Sequence, residues 1–118
     1  NCIETYLCGG GLANSYIVAG GETIKAADIA KRAVAGEALA ETVLDTYCRQ
    51  LARALSGVIN LLDPAAIVLG GGVSNIDMIY EKVPQYWSDY VFSDSCVTAL
   101  LKAKYGDSSG VRGAAWLW

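Results

Sequence analysis

Gly70, Gly71 and Gly72 stand directly after the apolar run Ala66-Ile67-Val68-Leu69 and directly before Val73-Ser74-Asn75. A strand, a glycine-rich turn and a helix in that order make a recurrent nucleotide site in α/β proteins. Glycine lets backbone approach a ligand closely, and a helix start offers N–H donors that hold phosphate without basic side chains. The spacing is not GxxxxGKS/T, so it is no P-loop, and it is not GxGxxG, so the dinucleotide fingerprint is absent. By spacing alone a second reading stays open, in which the three glycines only make a tight packed turn.

Other residues with chemical potential are sparse. Cys2, Cys8, Cys48 and Cys96 show no CxxC spacing, and the chain has no histidine. A complete zinc site needs about four ligands brought together, and a chain this poor in cysteine is expected to keep reduced thiols. Cys48 and Cys96 sit in apolar patterns and read as inert core thiols. Asp107 lies in a glycine loop, where capping a last helix suits it better than acid catalysis. Arg112 is a lone arginine and reads as a helix surface charge.

The elements that must position the glycine turn are legible from periodicity. A short helix is expected over residues 26–35, with Ile29, Ala30, Ala33 and Val34 on one face and Gly36 at its end. The strongest signal covers 37–62, where Leu39, Val43, Leu44, Tyr47, Leu51, Leu55, Val58, Ile59 and Leu62 recur at helical spacing. Its opposite face carries Glu41, Asp45, Arg49 and Arg53, with Asp45 and Arg49 a favourable pair one turn apart. Asp63-Pro64 should stop that helix, because proline disfavours helical geometry at the preceding residue.

Residues 66–69 then read as a buried strand. Ser74 or Asn75 is the expected N-cap of a helix carrying Ile76, Ile79, Tyr80, Val83, Tyr86, Trp87, Tyr90 and Val91, with a kink or a fresh start at Pro84. The aromatic set Tyr80, Tyr86, Trp87, Tyr90 and Phe92 is expected to pack in the core. A second strand is expected within 97–102 and a last helix after Asp107. The triple glycine at 9–11 argues against a regular element there, and Ala19-Gly20-Gly21 reads as a loop. The plan is α/β with few strands, and two strands alone make a poor sheet.

Composition sets limits. Across 118 residues 53% are apolar, enough for a real core in one domain. A formal net charge of −3 argues against non-specific nucleic-acid binding. No run of about 18 apolar residues suggests a membrane span, and no signal peptide is visible.

The order Asp63-Pro64-Ala65-Ala66-Ile67-Val68-Leu69-Gly70-Gly71-Gly72-Val73-Ser74 closely resembles the "LDPxxIVLGGGxS" segment of the ROK family of bacterial sugar kinases and sugar-responsive repressors. Cys2-Ile3-Glu4-Thr5-Tyr6-Leu7 is similar to the end of that family's zinc-and-sugar motif. Asp107-Ser108-Ser109-Gly110-Val111-Arg112-Gly113-Ala114-Ala115 is similar to its C-terminal segment, and the Trp116-Leu117-Trp118 ending resembles the fructokinases of the family. Asn1 stands where the family usually has Gly, and Cys8 where it usually has Ser.

The resemblance implies the C-terminal part of an actin/hexokinase-like (ribonuclease H-like) ATPase domain. It divides the chain into the end of the zinc and sugar motif (1–16), helices (26–62), an adenosine-binding strand and turn (66–75) and a closing helix–strand–helix (76–118). Gly70, Gly71, Gly72, Val73 and Ser74 would line the nucleotide, Glu4 would accept hydrogen bonds from sugar hydroxyls, and Cys2 would be one ligand of a structural Zn²⁺ whose other ligands lie upstream.

The implied activity is transfer from ATP, with Mg²⁺, to the 6-hydroxyl of a hexose, fructose first. N-acetylglucosamine or glucose kinase and a sugar-sensing repressor are the alternatives. A folding module with no ligand of its own is the third reading. A cytoplasmic homodimer is implied for the intact protein. The catalytic Asp and the phosphate-binding DxGxT loop belong upstream in the family, so no catalytic residue is expected here, and these 118 residues alone are expected to be inactive.

Overall fold

The structure, a computed structural model, describes residues 7–92 and 97–103. In chain order it has α1 (Gly9–Val18), α2 (Ala26–Val34), α3 (Ala38–Leu62), β1 (Ala66–Leu69), a 3-10 turn (Gly72–Asn75), α4 (Asp77–Trp87) and β2 (Ala99–Lys102). The strands pair in parallel, with Ala66 opposite Ala99 and Leu69 opposite Lys102. A parallel pair needs a crossover, and the glycine turn with α4 provides it.

α3 is the spine. Ala40, Val43, Leu44, Tyr47, Cys48, Leu51 and Ile59 form its buried stripe, against which α1, α2 and α4 pack. Asp63 closes it in the left-handed conformation, at φ 45°. An aspartate tolerates that region better than most residues, and Pro64 then prevents continuation. α2 ends at Val34 with Ala35 as its C-cap, and Gly36 follows with a φ of 96° that side-chain-bearing residues rarely adopt.

The structure corrects several expectations. Residues 9–11 are helical despite three consecutive glycines. The Gly11 N–H donates to Cys8 Sγ at 3.3 Å, so the thiol caps α1 as a serine hydroxyl would. Leu12 and Tyr16, one turn apart and each 1% exposed, hold the helix to the core. Tertiary burial thus overrides the poor helix propensity of glycine.

α4 begins at Asp77 with Ile76 as its N-cap, so neither Ser74 nor Asn75 takes that role. Both lie in the 3-10 turn, where Ser74 N–H already bonds Gly71 O at 3.1 Å. α4 runs through Pro84 as one helix and stops at Trp87. Trp87 is buried, but Tyr90 and Phe92 lie past the helix end and are exposed, Phe92 by 90%. Asn60 fixes that segment from α3, donating to Tyr90 O at 3.0 Å and accepting from Phe92 N–H at 2.9 Å. β1 alternates between exposed and half-buried instead of being buried, with Val68 59% exposed. Among the described residues it has a neighbour in β2 alone, and helices do not cover both its faces.

α4 is fastened to α3 by one carboxylate. Asp45 accepts from the Tyr86 hydroxyl, from Arg49 Nε at 3.1 Å and from Lys82 Nζ at 3.4 Å. Arg49 also stacks over the Tyr86 ring, 4.3 Å from its centroid. Partial burial pushes the Asp45 carboxyl up, but the bonds from Tyr86, Arg49 and Lys82 outweigh it and leave it below the usual carboxylate value. A depressed carboxyl contributes stability above its unfolded pKa and loses it as pH falls through the folded value.

Asp45→Asn should therefore lower stability by about 1 kcal/mol at pH 7. The gap to wild type should shrink as pH falls below about 4. Melting temperatures of both proteins against pH check this, and a constant gap across that range contradicts it.

Candidate functional site

β1 delivers the chain to Gly70, and the backbone then folds back on itself. Gly71 has φ 84° and ψ −177°, a combination that only glycine holds without strain. Its carbonyl accepts both the N–H and the hydroxyl of Ser74, and Ile76 N–H bonds Val73 O at 3.1 Å. The Ser74 carbonyl accepts from the Tyr80 hydroxyl. These bonds engage the Ser74 hydroxyl and N–H and the Gly71, Val73 and Ser74 carbonyls. Burial pushes the Tyr80 phenol above its usual value.

Gly70, Gly71, Gly72 and Val73 form one wall of a groove of about 1110 Å³. The start of α1, at Cys8, Gly9 and Gly10, adjoins them, and α2 supplies the facing wall through Ala26, Ala27 and Ala30. Leu44 of α3 and Ile76 also reach it. A Cβ on Gly9 would lie 3.7 Å from Val73 and 3.9 Å from Ala26, which shows how closely α1 passes both walls. Gly70 and Gly72 have open space where a Cβ would stand and no left-handed φ. The fold therefore does not require glycine at either position, whereas Gly71 is required by its backbone.

The lining is chiefly apolar, with Lys25, Lys31, Asn75 and Asp77 as polar members. Flat apolar walls with a few polar groups suit a heterocyclic base. Three stretches of chain that can approach a ligand without side-chain bulk meet here: the glycine turn, the start of α1 and the alanine face of α2.

The structure brings Gly70, Gly71, Gly72 and Val73 together on the groove. Ser74 does not line it. It is 1% exposed and its hydroxyl is engaged by Gly71 O, so it shapes the turn from behind. Glu4, Cys2, Cys96, Asp107 and Arg112 lie outside the described residues. Among the described residues no group of three or more Cys, His, Asp or Glu could hold a metal ion. Cys48 is an inert core thiol as expected, its pKa pushed up to about 12 by burial.

The α2 wall, Lys25, Lys31 and the Cys8 cap were not legible as site residues. The small residues Ala26, Ala27 and Ala30 on one helix face were the available signal, and it did not say what that face meets. Among the described residues no helix is long and apolar enough to cross a membrane.

The chain is 40% identical over 116 residues to the N-acetyl-D-glucosamine kinase of Photobacterium profundum, covering 98% of this chain and 38% of that protein. It is 40% identical over 117 residues to that of Mannheimia succiniciproducens, covering 99% and 38%. The chain thus spans little more than a third of the length of these curated relatives.

Among solved structures it superposes on a ROK family glucokinase from Streptomyces griseus in complex with glucose and AMPPNP. The TM-score is 0.85 at 22% identity, over 98% of this chain and 44% of that one. A ROK family transcriptional regulator, a homologue of the E. coli MLC protein, superposes with TM-score 0.73 at 26% identity, over 86% and 28%. The fold is that of the actin/hexokinase-like sugar kinases, α/β and helix-rich with few strands. Residues 1–118 all match the ROK family, and the chain belongs to that family.

Proposed function

We propose that the full-length protein carrying this chain is an ATP-dependent sugar kinase that phosphorylates a hexose at its 6-hydroxyl, and that the groove between the glycine turn and α2 receives the adenosine end of ATP. The observation that carries this is the pair Gly70 and Gly72. Their open Cβ positions are not demanded by the fold, yet they line an apolar groove of suitable size. Close approach of a ligand explains the missing side chains. Curated relatives 40% identical are named kinases of N-acetyl-D-glucosamine, and a glucokinase of the same fold is seen with AMPPNP, which supports a phosphoryl-transfer reading.

In this proposal Gly70, Gly71, Gly72 and Val73 contact the nucleotide and Ser74 holds the turn. Glu4 receives the sugar hydroxyls and Cys2 contributes to a structural Zn²⁺. ATP is used with Mg²⁺, which would neutralise charge on the transferring phosphate. No residue of the described chain is assigned the proton transfer. A cytoplasmic homodimer is part of the same proposal.

Two hexoses compete. The resemblance of the Trp116-Leu117-Trp118 ending to the fructokinases favours fructose, and the named relatives favour N-acetyl-D-glucosamine. A coupled assay of a hexose panel with ATP on the full-length protein tests both. The expected result is turnover with the highest kcat/KM for fructose. A preference for N-acetyl-D-glucosamine overturns the sugar assignment alone. Sugar binding without turnover overturns the kinase and favours a sugar-sensing regulator, the reading supported by superposition on one.

A further inference from the structure

Tyr80 sits one turn into α4, and its hydroxyl donates to the carbonyl of Ser74. Ser74 in turn donates both its hydroxyl and its N–H to the carbonyl of Gly71. Two steps of hydrogen bonding thus connect a helix side chain to the backbone that faces the groove. The helix end of this relay is firm, because α4 is fastened to α3 through Tyr86, Lys82 and Asp45. The turn end is held by glycine, with Gly71 at φ 84°. Ser74 is 1% exposed, so water does not readily replace a bond to its carbonyl. Tyr80 itself is not among the residues that line the groove.

We infer that Tyr80 is a positioning residue for the nucleotide: through Ser74 it sets the orientation of the Gly71–Gly72 backbone on which adenosine docks. This rests on the nucleotide assignment of the groove. Removing the hydroxyl takes that bond from the Ser74 carbonyl and loosens the turn. The loss then falls on nucleotide affinity and spares the sugar side.

The test uses Tyr80→Phe in the full-length protein, with Gly72→Val and wild type alongside. AMPPNP affinity is measured by calorimetry, and KM for ATP, KM for sugar and kcat by steady-state assay. Tyr80→Phe is expected to weaken AMPPNP and raise KM for ATP by about threefold to tenfold. KM for sugar and kcat at saturating ATP should stay within about twofold, since neither depends on the relay. Ser74→Ala, which removes the hydroxyl bond to Gly71 O and leaves the N–H bond, should show the same selective loss, and it answers the question if Tyr80→Phe does not fold.

Unchanged AMPPNP affinity in Tyr80→Phe, or an equal loss on nucleotide and sugar, overturns the positioning role. Equal AMPPNP binding by wild type and Gly72→Val overturns the nucleotide assignment itself, so the two failures are separable.

Discussion

Replacing Gly72 by valine is expected to leave the fold in place and to weaken adenine-nucleotide binding by about tenfold to a hundredfold. The first half follows from geometry. A Cβ at Gly72 meets nothing within 4 Å, and Gly72 does not have the left-handed φ that makes substitution costly at Gly71. The second half follows from where that open space lies. Gly72 lines the groove beside Gly70 and Gly71, so a branched side chain occupies volume that the nucleotide needs. Inserting such bulk into a well-packed contact costs about 1–3 kcal/mol, which is the stated factor in affinity. A raised KM for ATP with an unchanged melting temperature is the signature. Gly71→Val should do more damage for a different reason, since it strains the backbone and lowers the melting temperature as well.

Gly21→Ala is expected to destabilise the protein by about 2–3 kcal/mol. An added methyl there would overlap three ring atoms of Tyr16. That ring has nowhere to go. It is 1% exposed, and its hydroxyl donates to Glu37 while accepting from Arg32 Nη1 at 3.3 Å. Arg32 is itself held by Glu22 at 3.2 Å, so the whole corner between α1, α2 and α3 would have to shift. Gly57→Ala makes the matching control. Gly57 lies within α3 with open space around its Cβ position, so alanine there should stabilise by about 0.5–1 kcal/mol. Denaturant midpoints of the two variants should move in opposite directions. A destabilisation of similar size in both would contradict the packing described at Tyr16.

The features legible in the sequence were those governed by local rules. The long helix announced itself through apolar spacing from Leu39 to Leu62, and Asp63-Pro64 marked its end because proline acts on its immediate neighbour. The glycine turn was visible as a strand followed by residues that permit close approach. The features missed depend on distant chain. α1 forms through three glycines because Leu12 and Tyr16 are buried and Cys8 caps it. β1 is half-exposed because burial of a strand is decided by what covers the sheet. Tyr90 and Phe92 kept helical spacing beyond Trp87, yet the helix ends there and Phe92 faces solvent. Of the site itself, one wall could be read. The other comes from α2, more than thirty residues earlier, and its alanines gave no sign of what they face. Ser74 was placed at the turn correctly, but only the fold shows its hydroxyl turned away from the groove.

In the proposed function the Gly70–Val73 turn and α2 hold adenosine. Its most direct test is a calorimetric titration of AMPPNP into the full-length wild-type protein and Gly72→Val under identical conditions. Wild type is expected to bind saturably, and the variant with affinity lower by about tenfold or more. Equal affinity in the two proteins, with both folded, would contradict it.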